Sequence, residues 1–108
     1  MYATLKKLLP LCPSVSGREE KIRNMLSDMV APFCDEVKTD NLGNLIGIKK
    51  GSENGKNIML AAHMDEIGFL VTFIEESGIA RIAPVGGISF AAAAYGRVVS
   101  EKGVKGVI

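Results

Sequence analysis

The residues of this sequence best equipped for chemistry lie in one short run, Ala61-Ala62-His63-Met64-Asp65-Glu66-Ile67-Gly68. An imidazole followed two residues later by a carboxylate suits a divalent cation. One ring nitrogen binds the ion, and the carboxylate holds the proton on the other and fixes the tautomer. If the backbone runs extended there, His63 and Asp65 project to one side and Met64 to the other. Glu66 faces the opposite way from Asp65 and is harder to assign. The same H-x-D pattern also describes a solvated or hydrogen-bonded structural histidine. One imidazole cannot close a metal site, since a catalytic zinc takes about three protein ligands plus water. His63 is the only histidine of the sequence, so no H-E-x-x-H pair exists. Asp40 is a second candidate acid, although its place before Asn41-Leu42-Gly43 favours a turn carboxylate. Serine catalysis lacks a G-x-S-x-G, and neither Cys12 nor Cys34 has a context that argues for nucleophilic use.

Several elements must position these groups. Tyr2, Leu5, Leu8 and Leu9 fall near the helical repeat, and Pro10 then lacks the donor to continue, which predicts a short first helix over 2–9. Ser16 and Glu19 form an S-x-x-E capping box, so a second helix is expected to start there. Ile22, Met25, Leu26, Met29 and Val30 give that helix one apolar stripe, and Pro32 marks its stop. The period then changes. Val37–Asp40 and Leu45–Lys49 read as two strands around Asn41-Leu42-Gly43-Asn44. The run 51–57 superficially resembles a phosphate-binding loop, but its glycine spacing is one short and Asn57 stands where Ser or Thr is needed, so it reads as a turn. Ile58-Met59-Leu60-Ala61-Ala62 is continuously apolar, as in a strand covered on both faces of an α/β layer. Ligands gather at the carboxyl ends of such strands, and His63 stands at that end. Two further hairpins are expected, Ile67–Glu75 with Ile79–Val85 and Arg97–Ser100 with Val104–Ile108, with a helical turn at Ala91–Ala94 between them.

Composition sets the outer limits. The 108 residues are 47% hydrophobic and 23% charged, which fits one globular domain or a piece of a larger one. Thirteen Lys and Arg against twelve Asp and Glu leave a net charge of +1, so nothing points to a nucleic acid partner. Two cysteines outside any C-x-x-C spacing fit a reducing cytoplasm. Pro10 and Pro13 interrupt the early apolar run before it could serve as a signal segment. No stretch approaches the ~20 apolar residues of a membrane span. Ile108 falls inside an apolar strand pattern, an ending expected of a fragment rather than of a solvated tail.

Taken in order, five segments are similar to a known family: Ser16-Gly17-Arg18-Glu19, Asp40-Asn41-Leu42-Gly43-Asn44-Leu45, Ala62-His63-Met64-Asp65-Glu66-Ile67-Gly68-Phe69, Val85-Gly86-Gly87 and Gly103-Val104-Lys105-Gly106-Val107-Ile108. Together they resemble the N-terminal part of the tetrahedral-type metallo-aminopeptidases. Members of that family also carry the names glutamyl or deblocking aminopeptidase and cellulase or endoglucanase M. The resemblance runs through essentially the whole chain, and the His63 segment is its most specific piece.

The resemblance implies a cytoplasmic, co-catalytic two-metal exopeptidase that removes N-terminal residues from peptides, with zinc or cobalt as the metals. His63 would bind one ion, and Asp65 would orient His63. The implied fold class is α/β. Residues 1–68 would be the first part of a mixed-sheet catalytic domain, and 69–108 the start of a β-rich inserted domain for dimerisation and assembly, often into twelve-subunit particles. The family's remaining ligands and its general base lie downstream and have no counterpart here. The chain alone is therefore expected to be inactive and to bind at most one ion weakly. Two other readings compete: a standalone oligomerisation or peptide-binding module derived from this fold, and glycan hydrolysis. The last has little support, because a glycosidase needs two placed carboxylates.

Overall fold

A computed structural model of the chain describes residues 14–108. The first helix expected over 2–9, and Cys12 with it, lie outside the described residues. The rest divides into two compact units, Glu19–Met64 and a second made of residues 14–18 with Asp65–Ile108.

The unit Glu19–Met64 opens with helix α1, Glu20–Val30. Most of its apolar stripe faces inward as the period requires: Ile22 is 7% exposed and Met25, Leu26 and Val30 are half-buried, while Met29 is exposed. Burying one such isoleucine stabilises by about 2 kcal/mol. The helix ends where Pro32 begins to act, and Ala31–Phe33 tightens into a 3-10 turn with the proline near its start. Strands β1, Glu36–Thr39, and β2, Leu45–Ile48, then pair antiparallel with Val37 opposite Gly47. Packing is close at Gly47, where a Cβ would lie 2.8 Å from Cys34 Sγ and force that side chain to shift. The run 51–57 is a turn as expected, closed by Gly55 N–H donating to the Ser52 carbonyl at 3.0 Å.

Two expectations fail in or at the edge of this unit. Helix α1 starts at Glu20 with Glu19 at its N-cap, three residues after the cap expected at Ser16. Ser16 is not its cap, because Arg18 N–H bonds the Val15 carbonyl at 2.9 Å and Gly17 sits at φ +83, so the chain turns there. The apolar run 58–62 is not a strand either. Residues 56–65 have no regular structure, and Ile58, Met59 and Leu60 are 84%, 87% and 94% exposed. A strand buried on both faces needs a neighbour on each edge and cover above and below. The ladders among the described residues join β1 to β2, β3 to β4 and β5 to β6, and none reaches 58–62.

The second unit holds the other two expected hairpins. Strand β3, Gly68–Ile74, pairs antiparallel with β4, Ala80–Val85, and its register shifts between Val71 and Phe73. Thr72, at the shift, donates its hydroxyl to the Arg81 carbonyl at 3.2 Å. A single helical turn α2, Phe90–Ala93, follows, and the Phe90 ring packs 6.1 Å from that of Phe69. Strands β5, Arg97–Val99, and β6, Lys105–Val107, make the third hairpin. The described fold is thus a set of small antiparallel sheets with two helices, and a mixed sheet does not form within it.

All three hairpins close in the same way. The N–H of Gly43, Gly78 and Gly103 bonds the carbonyl of Asp40, Glu75 and Ser100 at 3.1, 2.8 and 2.8 Å, and each glycine has φ between +82 and +88. The N–H of Asp40, Glu75 and Ser100 in turn bonds the carbonyl of Asn44, Ile79 and Val104. A left-handed residue at this position twists the chain back onto its strand, and a Cβ there costs about 1–2 kcal/mol. Gly103 has open space around its missing Cβ, as does Gly51, which has no positive φ. Gly103→Ala should therefore destabilise by about 1–2 kcal/mol through its backbone alone. Gly51→Ala should stay within about 0.5 kcal/mol of the parent. Chemical unfolding of both variants checks this, and equal effects would contradict it.

Candidate functional site

The His63 segment crosses the boundary between the two units, which falls between Met64 and Asp65. His63 is exposed, while Met64, Asp65 and Glu66 are half-buried. The extended backbone assumed for 63–65 is not part of any strand.

What holds the acidic end is a segment about fifty positions earlier. Glu66 N–H donates to the Ser14 carbonyl at 2.9 Å, and Val15 and Glu66 form a parallel bridge. Ser14 N–H makes a long return contact of 3.4 Å to Glu66 Oε1. Ser16 donates its hydroxyl to Asp65 Oδ2. Ser14 is 3% exposed, so the start of this link is shielded from water. Val15 lies directly over Gly68, where a Cβ would come within 2.1 Å of Val15 Cγ1. No periodicity in the sequence announces these contacts. The one signal is a glycine at position 68, on the first residue of a β-prone run.

Asp40 is the turn carboxylate that its position favoured. Its Oδ1 accepts from the N–H of Leu42 and of Asn44, both at 2.9 Å, and its Oδ2 accepts from Asn44 Nδ2 at 2.8 Å. The Asn44 side-chain bond first, then the Asn44, Leu42 and Gly43 amides, hold its pKa below the usual carboxylate range. Asp35 is lowered likewise, by Lys49 Nζ at 2.8 Å and then by the Lys50 N–H at 2.5 Å, and Lys49 is raised by Asp35. Both partners are solvent-exposed, so the pair is a modest surface contact.

Among the described residues, no group of three or more His, Cys, Asp or Glu side chains could hold a metal ion. Imidazole and carboxylate are donor types that a zinc-like cation accepts, and the sequence supplies them at positions 63 and 65. They do not by themselves complete a ligand set.

Comparison with known proteins places the chain. Residues 43–108, from the first hairpin turn through the His63 segment to β6, match the M42 glutamyl aminopeptidase family. A putative aminopeptidase of Acetivibrio thermocellus is 45% identical over 108 residues, all of this chain and 32% of that protein. Among solved structures, an endoglucanase from Thermotoga maritima superposes with a TM-score of 0.84 at 42% identity, covering 95% of this chain and 32% of the other. PhTET1-12s, solved as a dodecamer in the asymmetric unit, superposes with a TM-score of 0.80 at 39% identity, covering 99% and 32%. The fold is that of these solved structures over the matched length, and the chain belongs to the M42 glutamyl aminopeptidase family. It spans about a third of the length of these relatives.

The depressed pKa of Asp40 has a defined sign. Its contribution to stability is present above the unfolded value of about 3.9 and is lost as pH falls through the lower folded value. An NMR titration of the Asn44 side-chain and backbone N–H signals should give a midpoint below that of an ordinary aspartate. A midpoint at or above about 3.9 would contradict the assignment.

Proposed function

We propose that this chain is the N-terminal part of a metal-dependent aminopeptidase that removes N-terminal residues from peptides. The observation that carries the reading is the family match over residues 43–108, which takes in the His63 segment whole. The 45% identity along the entire chain supports it. In the whole enzyme His63 is a ligand to one of two divalent ions, zinc or cobalt, and Asp65 holds the imidazole in the ligating tautomer. Such ions acidify bound water and polarise the peptide carbonyl. The 108 residues supply one ligand of that set, so by themselves they bind at most one ion weakly and do not turn over.

The remaining parts of the reading follow from the same kinship. Residues 1–68 open the catalytic domain, and 69–108 begin a β-rich insertion through which subunits associate. The dodecamer of PhTET1-12s supports a homo-oligomer for the whole protein. The described residues include no helix long and apolar enough to cross a membrane, and a cytoplasmic peptidase is the setting we propose. Glycan hydrolysis has only the name of the Thermotoga maritima relative behind it.

In the whole enzyme, His63→Ala should lower aminopeptidase turnover by more than the roughly 10–100-fold typical of losing a supporting group. Bound metal should fall by about one ion per subunit, with the circular dichroism spectrum unchanged. Parental turnover, or hydrolysis of a β-glucan instead of peptides, would refute the reading.

A further inference from the structure

We propose that Ser16 is a positioning residue of this site, its hydroxyl setting the direction of the Asp65 carboxylate. The inference rests on the reading of Asp65 as the carboxylate that holds a metal-binding imidazole. It starts from a hydroxyl that the sequence pattern would spend on a helix cap and that the structure spends on an acid 49 positions away.

The placement of that hydroxyl is built in by the backbone. Glu66 N–H on the Ser14 carbonyl and the Val15–Glu66 bridge set the register between the two segments. Val15 sits so close over Gly68 that a Cβ at position 68 would displace its side chain, which is how near the two segments run. The turn from Val15 to Arg18, with Gly17 left-handed, then directs the chain away immediately after Ser16. Ser16 is thus held next to Asp65 by its neighbours' contacts, so its side chain loses little freedom in making the bond.

The chemistry fits a positioning role. A serine hydroxyl has a single proton to donate, and here it goes to Asp65 Oδ2. An ionised carboxylate offers about four acceptor sites over two oxygens. A bond at Oδ2 restrains rotation of the group, and a carboxylate can accept from a hydroxyl and from a ring N–H at once. Partners one step behind a metal ligand act in this way, by fixing orientation and basicity. The Ser16 hydroxyl would act on the site through Asp65, the group it bonds.

The test is a double-mutant cycle in the whole enzyme, read by zinc affinity in competition with a chelator and, separately, by kcat and KM. Ser16→Ala should weaken zinc binding about three- to tenfold, the size of one ordinary hydrogen bond. Ser16→Thr, which keeps the hydroxyl, should restore affinity to within about twofold of the parent. On an Asp65→Ala background, Ser16→Ala should add nothing. Asp65→Asn serves as the background if the alanine variant does not fold. A loss that threonine fails to rescue, or one of equal size on the Asp65 background, overturns the proposal. Silence of Ser16→Ala beside a strong effect of Asp65→Ala overturns it while leaving the metal-site reading intact. Silence of Asp65→Ala removes that reading, and this proposal with it.

Discussion

The acidic end of the chemical motif depends on one long-range contact, the run of residues 14–16 along 65–68. Its core is a backbone bond from Glu66 N–H to the Ser14 carbonyl, with Ser14 buried. Closing a loop of about fifty residues carries an entropic cost that a single exposed bond would not offset. Here the backbone bond, the bridge, the Ser16–Asp65 bond and the packing of Val15 on Gly68 act at one place. Each makes the next less costly, because a segment already in register has less freedom left to lose. Strand β3 starts at Gly68, so the same contact also sets where the following hairpin begins.

The hairpins themselves rest on a different and wholly local principle. Three unrelated turn sequences, Asp40-Asn41-Leu42-Gly43, Glu75-Glu76-Ser77-Gly78 and Ser100-Glu101-Lys102-Gly103, fold alike because each ends on a left-handed glycine. In two of them the first side chain adds support, Asp40 to the amides of Leu42 and Asn44 and Ser100 to that of Val104. Surface ion pairs such as Lys49–Asp35 and Arg81–Glu75 add little by comparison, being open to water and salt.

The exposed run Ile58-Met59-Leu60 shows what these local devices do not supply. Apolar side chains there are almost wholly in water, although their sequence reads as a buried strand. The chain spans about a third of its relatives, and a strand of this kind is stable only when flanked and covered. The same condition governs His63, which follows directly on this run. An imidazole becomes a ligand when several donors converge on one point, and that convergence is a property of a whole domain.

Much of the architecture was legible because it is encoded within a few residues. The helix stripe from Ile22 to Val30, its stop at Pro32, the three hairpins and the turn role of Asp40 all follow from periodicities and turn chemistry that close over short distances. The family resemblance was legible for the same reason, since it resides in short ordered motifs. Tertiary structure decided the rest. Ser16 had a correct local partner in the capping box and lost it to Asp65, because Gly17 turns the chain and Asp65 arrives from far along the sequence. The run 58–62 had the right composition for a strand and has no strand neighbour among the described residues. A hydrogen-bond pattern that closes within five residues carries its own partner in the sequence. The choice of partner for a hydroxyl, or of cover for an apolar run, depends on what the remainder of the chain brings alongside.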